Sequence, residues 1–243
     1  MIVQLSNRRS ANSSIDQPEV KRGTPLYEQI YDALWKLIFS GEIAPGQRLS
    51  DRDWALRLNT SRTPVREAMR QMARDGVLVS LENGGYGVQS VDPEGLANLY
   101  KCRAPLAALA VHDTTLAGNK RLFTDIADVI RNISNAIVKR DADKALKLNS
   151  RFHDLIVEGC QNPHLINIMR NLEKLILFYR IALVKKSAKD NRADYFDHLG
   201  RAAERQMEIA VTMERGNAAA AARLMEQHLL LSAEDMARLL PVE

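Results

Sequence analysis

From Pro25 onward the apolar positions change period twice, and each change marks a new kind of element. Leu26, Ile30, Leu34, Leu37 and Ile38 recur at helical spacing, one stripe of an amphipathic helix that stops at Gly41. Pro45-Gly46 makes a turn, and Ser50 with Asp53 three residues later resembles a capping box opening a short helix that carries Trp54, Ala55 and Leu58 and ends at Asn59. Ser61 or Thr60 caps a third helix, with Pro64 in its first turn, a buried stripe of Val65, Ala68, Met69 and Met72, and an end at Gly76. Arg62, Arg66 and Arg70 repeat every four residues and project from a different face. Two short helices joined by a tight turn, the second basic on its outer face, predict a helix-turn-helix. Residues 77–81 and 86–91 then read as two strands around the hairpin tip Glu82-Asn83-Gly84-Gly85, which adds a wing.

At Asp92-Pro93 the strand period disappears. Asp92 suits a helix cap and Pro93 a first helical position, and long amphipathic helices are predicted over 93–117, 120–140, 142–159, 163–187, 192–215 and 218–239. Gly118-Asn119, Asp141, residues 159–163, the polar run at 189–191 and Gly216-Asn217 supply the breaks. The predicted fold is mainly α: an N-terminal winged helix-turn-helix at 23–91, then an antiparallel all-helical bundle of about six helices at 92–243, of a kind that encloses small ligands between facing helices. Residues 1–22 show no apolar periodicity and read as a flexible tail, whose Arg8 and Arg9 are placed to graze phosphates.

Composition narrows the class. The 243 residues are 46% hydrophobic and 26% charged, as in ordinary globular proteins. Cys102 and Cys160 stand far apart and outside any CxxC, which argues against a disulfide framework or zinc ribbon and for a reducing cytoplasm. No apolar stretch suggests a leader or a membrane span. The net charge of +4 says little, but residues 48–74 hold seven arginines, no lysine and three acids, an excess of four positive charges. The planar guanidinium fork suits phosphate and guanine, and the rival explanation is a solvated charged face, retained here for Arg70.

The stretch Ser61-Arg62-Thr63-Pro64-Val65-Arg66-Glu67-Ala68-Met69, after Ile43-Ala44-Pro45-Gly46-Gln47-Arg48-Leu49, closely resembles the winged-helix domain of the GntR superfamily of bacterial transcription regulators. The helical remainder is similar to the FadR-like branch with its C-terminal FCD domain, through Arg103, Asn149-Ser150-Arg151-Phe152-His153, Asn162-Pro163-His164-Leu165, and Gly216-Asn217 leading to His228-Leu229. The resemblance implies a homodimer on a palindromic double-stranded DNA operator, with Arg52, Arg62, Thr63, Pro64, Arg66 and the wing tip at Asn83, Gly84 and Gly85 meeting DNA. Independently, Arg62 and Arg66 near the start of the basic helix are placed to reach base edges, whereas Arg52 and the backbone donors of Gly84 and Gly85 suit phosphate or minor groove.

In many FCD domains an aspartate, a histidine four residues later and two further histidines hold a divalent ion. The matching positions here are Asn149, His153, Gln206 and His228, so two of the four ligands have become neutral amides. Two uses stay open: a degraded site for zinc, nickel or manganese at His153, His228 and Asn149, with no cofactor required, or direct hydrogen bonding of the effector by all four side chains. Arg103 matches an arginine facing the family's pocket. The acid usual four residues on is Ala107 here, leaving Arg103 to clamp a carboxylate effector or to join an interhelical ion pair. Tyr179 and Arg180 read as packing and surface respectively, and His112, His164 and His198 as surface or capping residues.

The reading is a ligand-responsive transcription regulator, a repressor released from its operator by a small organic acid, without catalytic residues. A metal-dependent enzyme in the bundle pocket would need paired carboxylates near His153 or a phosphate loop, and neither motif is visible. A non-specific architectural DNA-binding protein fits poorly with a dedicated pocket domain.

Overall fold

The computed structural model describes residues 23–90, 92–190 and 192–239. The tail at 1–22 with Arg8 and Arg9, the end of the last predicted strand at Val91, and the predicted break at Asn191 lie outside the described residues.

Helix α1 (Leu26–Ser40) buries Ile30, Leu34 and Ile38. Leu26 is exposed, so the buried stripe begins one turn later than the spacing suggested. Helix α2 (Asp51–Arg57) is capped by the Ser50 hydroxyl, which accepts from the Asp53 N–H, and Asn59 takes the positive φ of 48° that ends the turn. Helix α3 (Arg62–Arg74) starts after Ser61, whose side chain makes no capping hydrogen bond, contrary to the expected cap, and buries Val65, Ala68, Met69 and Met72 completely. Its basic positions are thereby turned to solvent.

The wing is β2 (Leu78–Ser80) and β3 (Tyr86–Val88), with a third strand absent from the sequence reading, β1 (Arg48–Leu49), paired antiparallel to the other side of β3. Two residues are too few to show an alternation, so β1 is defined only by its partner. At the tip, Gly85 has φ +83°, and a Cβ there would stand 3.0 Å from the Leu49 carbonyl oxygen. Both facts call for glycine. Arg48 Nη2 ties the same tip down by donating to the carbonyls of Asn83 (3.2 Å) and Gly84 (2.8 Å).

Six helices make the second half: α4 (Pro93–Ala117), α5 (Lys120–Val138), α6 (Ala142–Gly159), α7 (Pro163–Asp190), α8 (Arg192–Glu214) and α9 (Ala218–Leu239). Asp92, Asn119 and Asp141 cap their helices through side-chain oxygens. Helix α4 packs most extensively on α9, and α5 lies against α6 and α8. The buried apolar side chains of both halves form one contiguous cluster. Helix α7 makes contacts across the junction. The Leu175 side chain lies 3.1 Å from where a Cβ would stand at Gly76, and Lys174 Nζ sits 5.5 Å from the centroid of the Tyr31 ring.

Candidate functional site

Two groups of residues carry the chemistry. The first is the outer face of the helix-turn-helix. Arg52, Arg62, Thr63 and Arg66 are exposed, Pro64 is half-buried, and Asn83, Gly84 and Gly85 form an exposed tip. The structure adds a residue that sequence reasoning missed. Asp51, at the start of α2, pairs with both Arg62 (3.0 Å) and Arg66 (2.7 Å), fixing two guanidiniums of α3 from the preceding helix. Burial raises the Asp51 pKa, but the hydrogen bonds from Arg66 and Arg62 outweigh it and hold the carboxyl below its ordinary value. One reading is corrected at the wing: the Gly84 N–H already donates to the Leu81 carbonyl at 3.0 Å, so it is engaged within the turn.

The second group lies inside the bundle, where five helices contribute polar side chains to one buried cluster. Arg103 comes from α4, Asn149 and His153 from α6, Arg180 from α7, Gln206 from α8 and His228 from α9, and all six are buried. Asn149 and His153 share a face because they stand four residues apart. Every effector residue expected from the sequence is therefore in this cluster.

Two further members correct the sequence reading. Arg180, expected at the surface, is 5% exposed. Glu173, one α7 heptad earlier, places Oε1 2.5 Å from Arg103 Nη2, so Arg103 has an interhelical partner in place of the absent neighbour at Ala107. The alignment does not make this contact a hydrogen bond, and Arg103 Nε, Arg103 Nη2 and Glu173 Oε1 stay buried without one, as do Tyr195 Oη and Gln206 Oε1. A signal for Arg180 was present: Leu165, Met169, Ile176 and Arg180 follow one helical stripe, and the first three are buried core residues.

The amides of Asn149 and Gln206 meet at 2.8 Å. Asn149 is best satisfied with its amide turned so that its oxygen accepts from Arg180 Nη1 (2.6 Å) and Nη2 (3.1 Å). Its nitrogen then faces the Gln206 amide, whose Oε1 is buried without a hydrogen-bond partner. The His153 and His228 rings stack with centroids 5.9 Å apart and planes 25° from parallel. Arg205 Nε lies 3.4 Å from His228 Nδ1, which accepts and so places the ring proton on Nε2.

Burial lowers the pKa of both histidines well below 6.5, helped for His153 by Arg103 and for His228 by Arg205. His198, expected at the surface, is buried too, with Nδ1 3.3 Å from Asp235. Burial lowers its pKa to about 4, against the opposing pull of that carboxylate. Asp235 also receives Arg201 and Arg205, and a cavity of about 190 Å³ opens on the outer side of this rim. His164 is exposed and His112 partly so, as expected. Tyr179 packs in the core.

Comparison with known proteins matches both halves. The model for bacterial regulatory proteins of the gntR family fits residues 26–88, and that for the FCD domain fits residues 98–231. The HTH-type transcriptional regulator YdhC of Bacillus subtilis is 33% identical over 168 residues, 69% of this chain and 75% of its own. The Nta operon transcriptional regulator of Aminobacter aminovorans is 32% identical over 56% of this chain and 64% of its own. Among solved structures, E. coli McbR/YncC superposes with a TM-score of 0.69 at 17% identity, over 89% of this chain and 99% of that one. A GntR regulator from Rhodococcus sp. RHA1 gives 0.64 at 20% identity, over 86% and 96%. These last two speak for the fold, and the relatives are named as regulators, not as enzymes. The chain belongs to the GntR family of transcription regulators, with a winged helix-turn-helix followed by an FCD domain.

Proposed function

We propose that this regulator is a repressor that binds a palindromic operator in the cytoplasm as a homodimer and leaves it when a small carboxylate enters the bundle. The observation that carries the effector half is the set of buried polar atoms without hydrogen bonds on Arg103, Glu173, Tyr195 and Gln206. Arg103 Nη2 and Glu173 Oε1 face each other as an ion pair, which leaves Arg103 Nε as a buried donor without a partner; such a group costs about 1–3 kcal/mol, and a carboxylate offers it an acceptor. Arg52, Arg62, Thr63, Pro64, Arg66 and the wing tip at Asn83 and Gly85 make the DNA contacts in this reading, Arg62 and Arg66 on base edges and Arg52 on the backbone.

Coupling runs through α7. An anion that engages Arg103 competes with Glu173, while the next two residues, Lys174 and Leu175, lie against Tyr31 and Gly76 of the winged-helix half. A shift of α7 thus reaches both sites, and in a dimer it changes the separation of two recognition helices that must match the half-site spacing. Relatives named as gluconate operon transcriptional repressor and as the repressors RspR and GlaR support the sign of regulation.

The test is genome-wide mapping of the DNA that the protein occupies in its host, followed by anisotropy titration of the recovered sites with a carboxylate panel. Discrete inverted repeats released by one class of carboxylate are expected. Diffuse occupancy would overturn the operator reading, and operator binding indifferent to every carboxylate would overturn the effector reading.

A further inference from the structure

We infer that the guanidinium of Arg180 stands where FCD domains with an acid and three histidines hold a divalent ion, and that it offers the cluster's positive charge directly to an anionic effector. The inference rests on the effector reading above for its ligand, but its first half is independent of that reading.

The residues at the four ligand positions do not fit a metal, for three reasons visible in the structure. Asn149 and Gln206 supply neutral amides that are bonded to each other at 2.8 Å. The Asn149 oxygen that would coordinate an ion is already within 2.6 and 3.1 Å of two Arg180 nitrogens. His228 Nδ1 is turned to the Arg205 guanidinium. A divalent cation placed among these groups would stand beside Arg180 with no carboxylate among its ligands, an arrangement of like charges that Coulomb repulsion opposes.

Arg180 supplies what the ion would have supplied. It is 5% exposed, rises from the buried stripe of α7 and reaches the Asn149 amide. Among the described residues of the cluster, Arg103 has Glu173, while the Arg180 contact is to a neutral amide. The ligand chemistry this favours is one anionic head group: its oxygens take the Arg180 fork, and the Asn149 and Gln206 amides supply further hydrogen bonds. The loss of an acidic ligand at position 149 follows the same logic, because an aspartate beside Arg180 would neutralise the charge that the effector needs.

The test uses the full chain without a histidine tag, dialysed against chelator and then against zinc, nickel or manganese chloride in turn. Metal per chain is read by mass spectrometry and stability by thermal unfolding. Much less than about one equivalent per chain and an unchanged Tm are expected; about one equivalent, removed by His153→Ala or His228→Ala, would overturn the inference. The triple variant Asn149→Asp, Arg180→Met, Gln206→His is expected to gain about one equivalent, and if it fails to fold the wild-type titration still decides. Sodium salts of small carboxylates are then titrated into the wild type and Arg180→Met in the presence of chelator. A carboxylate that stabilises the wild type should bind about tenfold or more weakly to Arg180→Met, and undiminished binding would overturn Arg180 as the anion's partner. No response to any carboxylate, with no metal uptake, would sink the effector reading and leave the replacement of the metal standing.

Discussion

Glu173 and Lys174 are neighbours on α7 that serve opposite ends of the molecule: the carboxylate meets Arg103 inside the bundle, and the ammonium lies 5.5 Å from the centre of the Tyr31 ring in the winged-helix half. Successive helical residues point about 100° apart, which lets one turn of helix touch both halves at once. Leu175 completes the contact by packing against Gly76, whose φ of +75° and 3.1 Å clearance leave little space for a side chain.

This pairing makes coupling separable from binding. Lys174→Ala and Leu175→Ala are expected to leave operator affinity and effector affinity each within a few-fold of wild type. The factor by which effector weakens operator binding should fall by about 0.5–2 kcal/mol. Glu173→Gln should act at the other end, tightening the carboxylate that releases the wild type, because the competing carboxylate is gone. Anisotropy titrations with and without effector check both, and an unchanged coupling factor in Leu175→Ala would remove α7 as the connection.

Arg62→Ala and Arg66→Ala should each weaken operator binding by about 1–3 kcal/mol, as expected for arginines on base edges. Asp51→Ala should have a different signature. The carboxylate both holds the two guanidiniums and repels phosphate, so its removal should raise affinity for random DNA, steepen the salt dependence and narrow the ratio of specific to non-specific binding. Titrations at several salt concentrations distinguish these cases, and Arg62→Ala binding like wild type would sink its assignment.

Stability should fall as the solution is acidified below about pH 6.5. His153, His198 and His228 are buried and bind a proton less readily when folded than when unfolded, so between the unfolded value and the lower folded one the unfolded chain takes up more protons. For His198 that window runs from 6.5 down to about 4. The carboxyls of Asp51 and Asp235, whose folded values are also lowered, extend the loss below 3.8. Thermal unfolding from pH 8 to 4 should show Tm falling with pH, and His198→Gln should flatten part of the slope. A Tm independent of pH across this range would contradict the burial of all three rings.

Gly85→Ala should damage the wing more than its small size suggests. The positive φ costs an alanine about 1 kcal/mol or more, and the added carbon meets the Leu49 carbonyl oxygen at 3.0 Å. Operator affinity should drop while the helical bundle keeps its effector affinity, and Gly84→Ala, where a Cβ meets nothing within 4 Å, should be the milder of the two.

Most of what short-range rules set was legible in the sequence. The Val65, Ala68, Met69 and Met72 stripe, the caps at Ser50 and Asp92, the breaks at Asn119 and Asp141, and the glycine-bearing wing turn each depend on residues a few positions apart, so the winged helix and six bundle helices could be read from spacing. The spacing of Asn149 and His153, and the match of Gln206 and His228 to family ligand positions, likewise put the cluster's residues in view. Tertiary structure decided which side chains meet across helices. Asp51 reaches Arg62 and Arg66, Glu173 reaches Arg103, Arg180 reaches Asn149 from α7, and Arg48–Leu49 becomes a strand only because β3 lies beside it. An arginine in an apolar stripe looks the same in sequence whether it extends to solvent or turns inward, because the energy that decides between them comes from a buried partner that the local sequence does not contain.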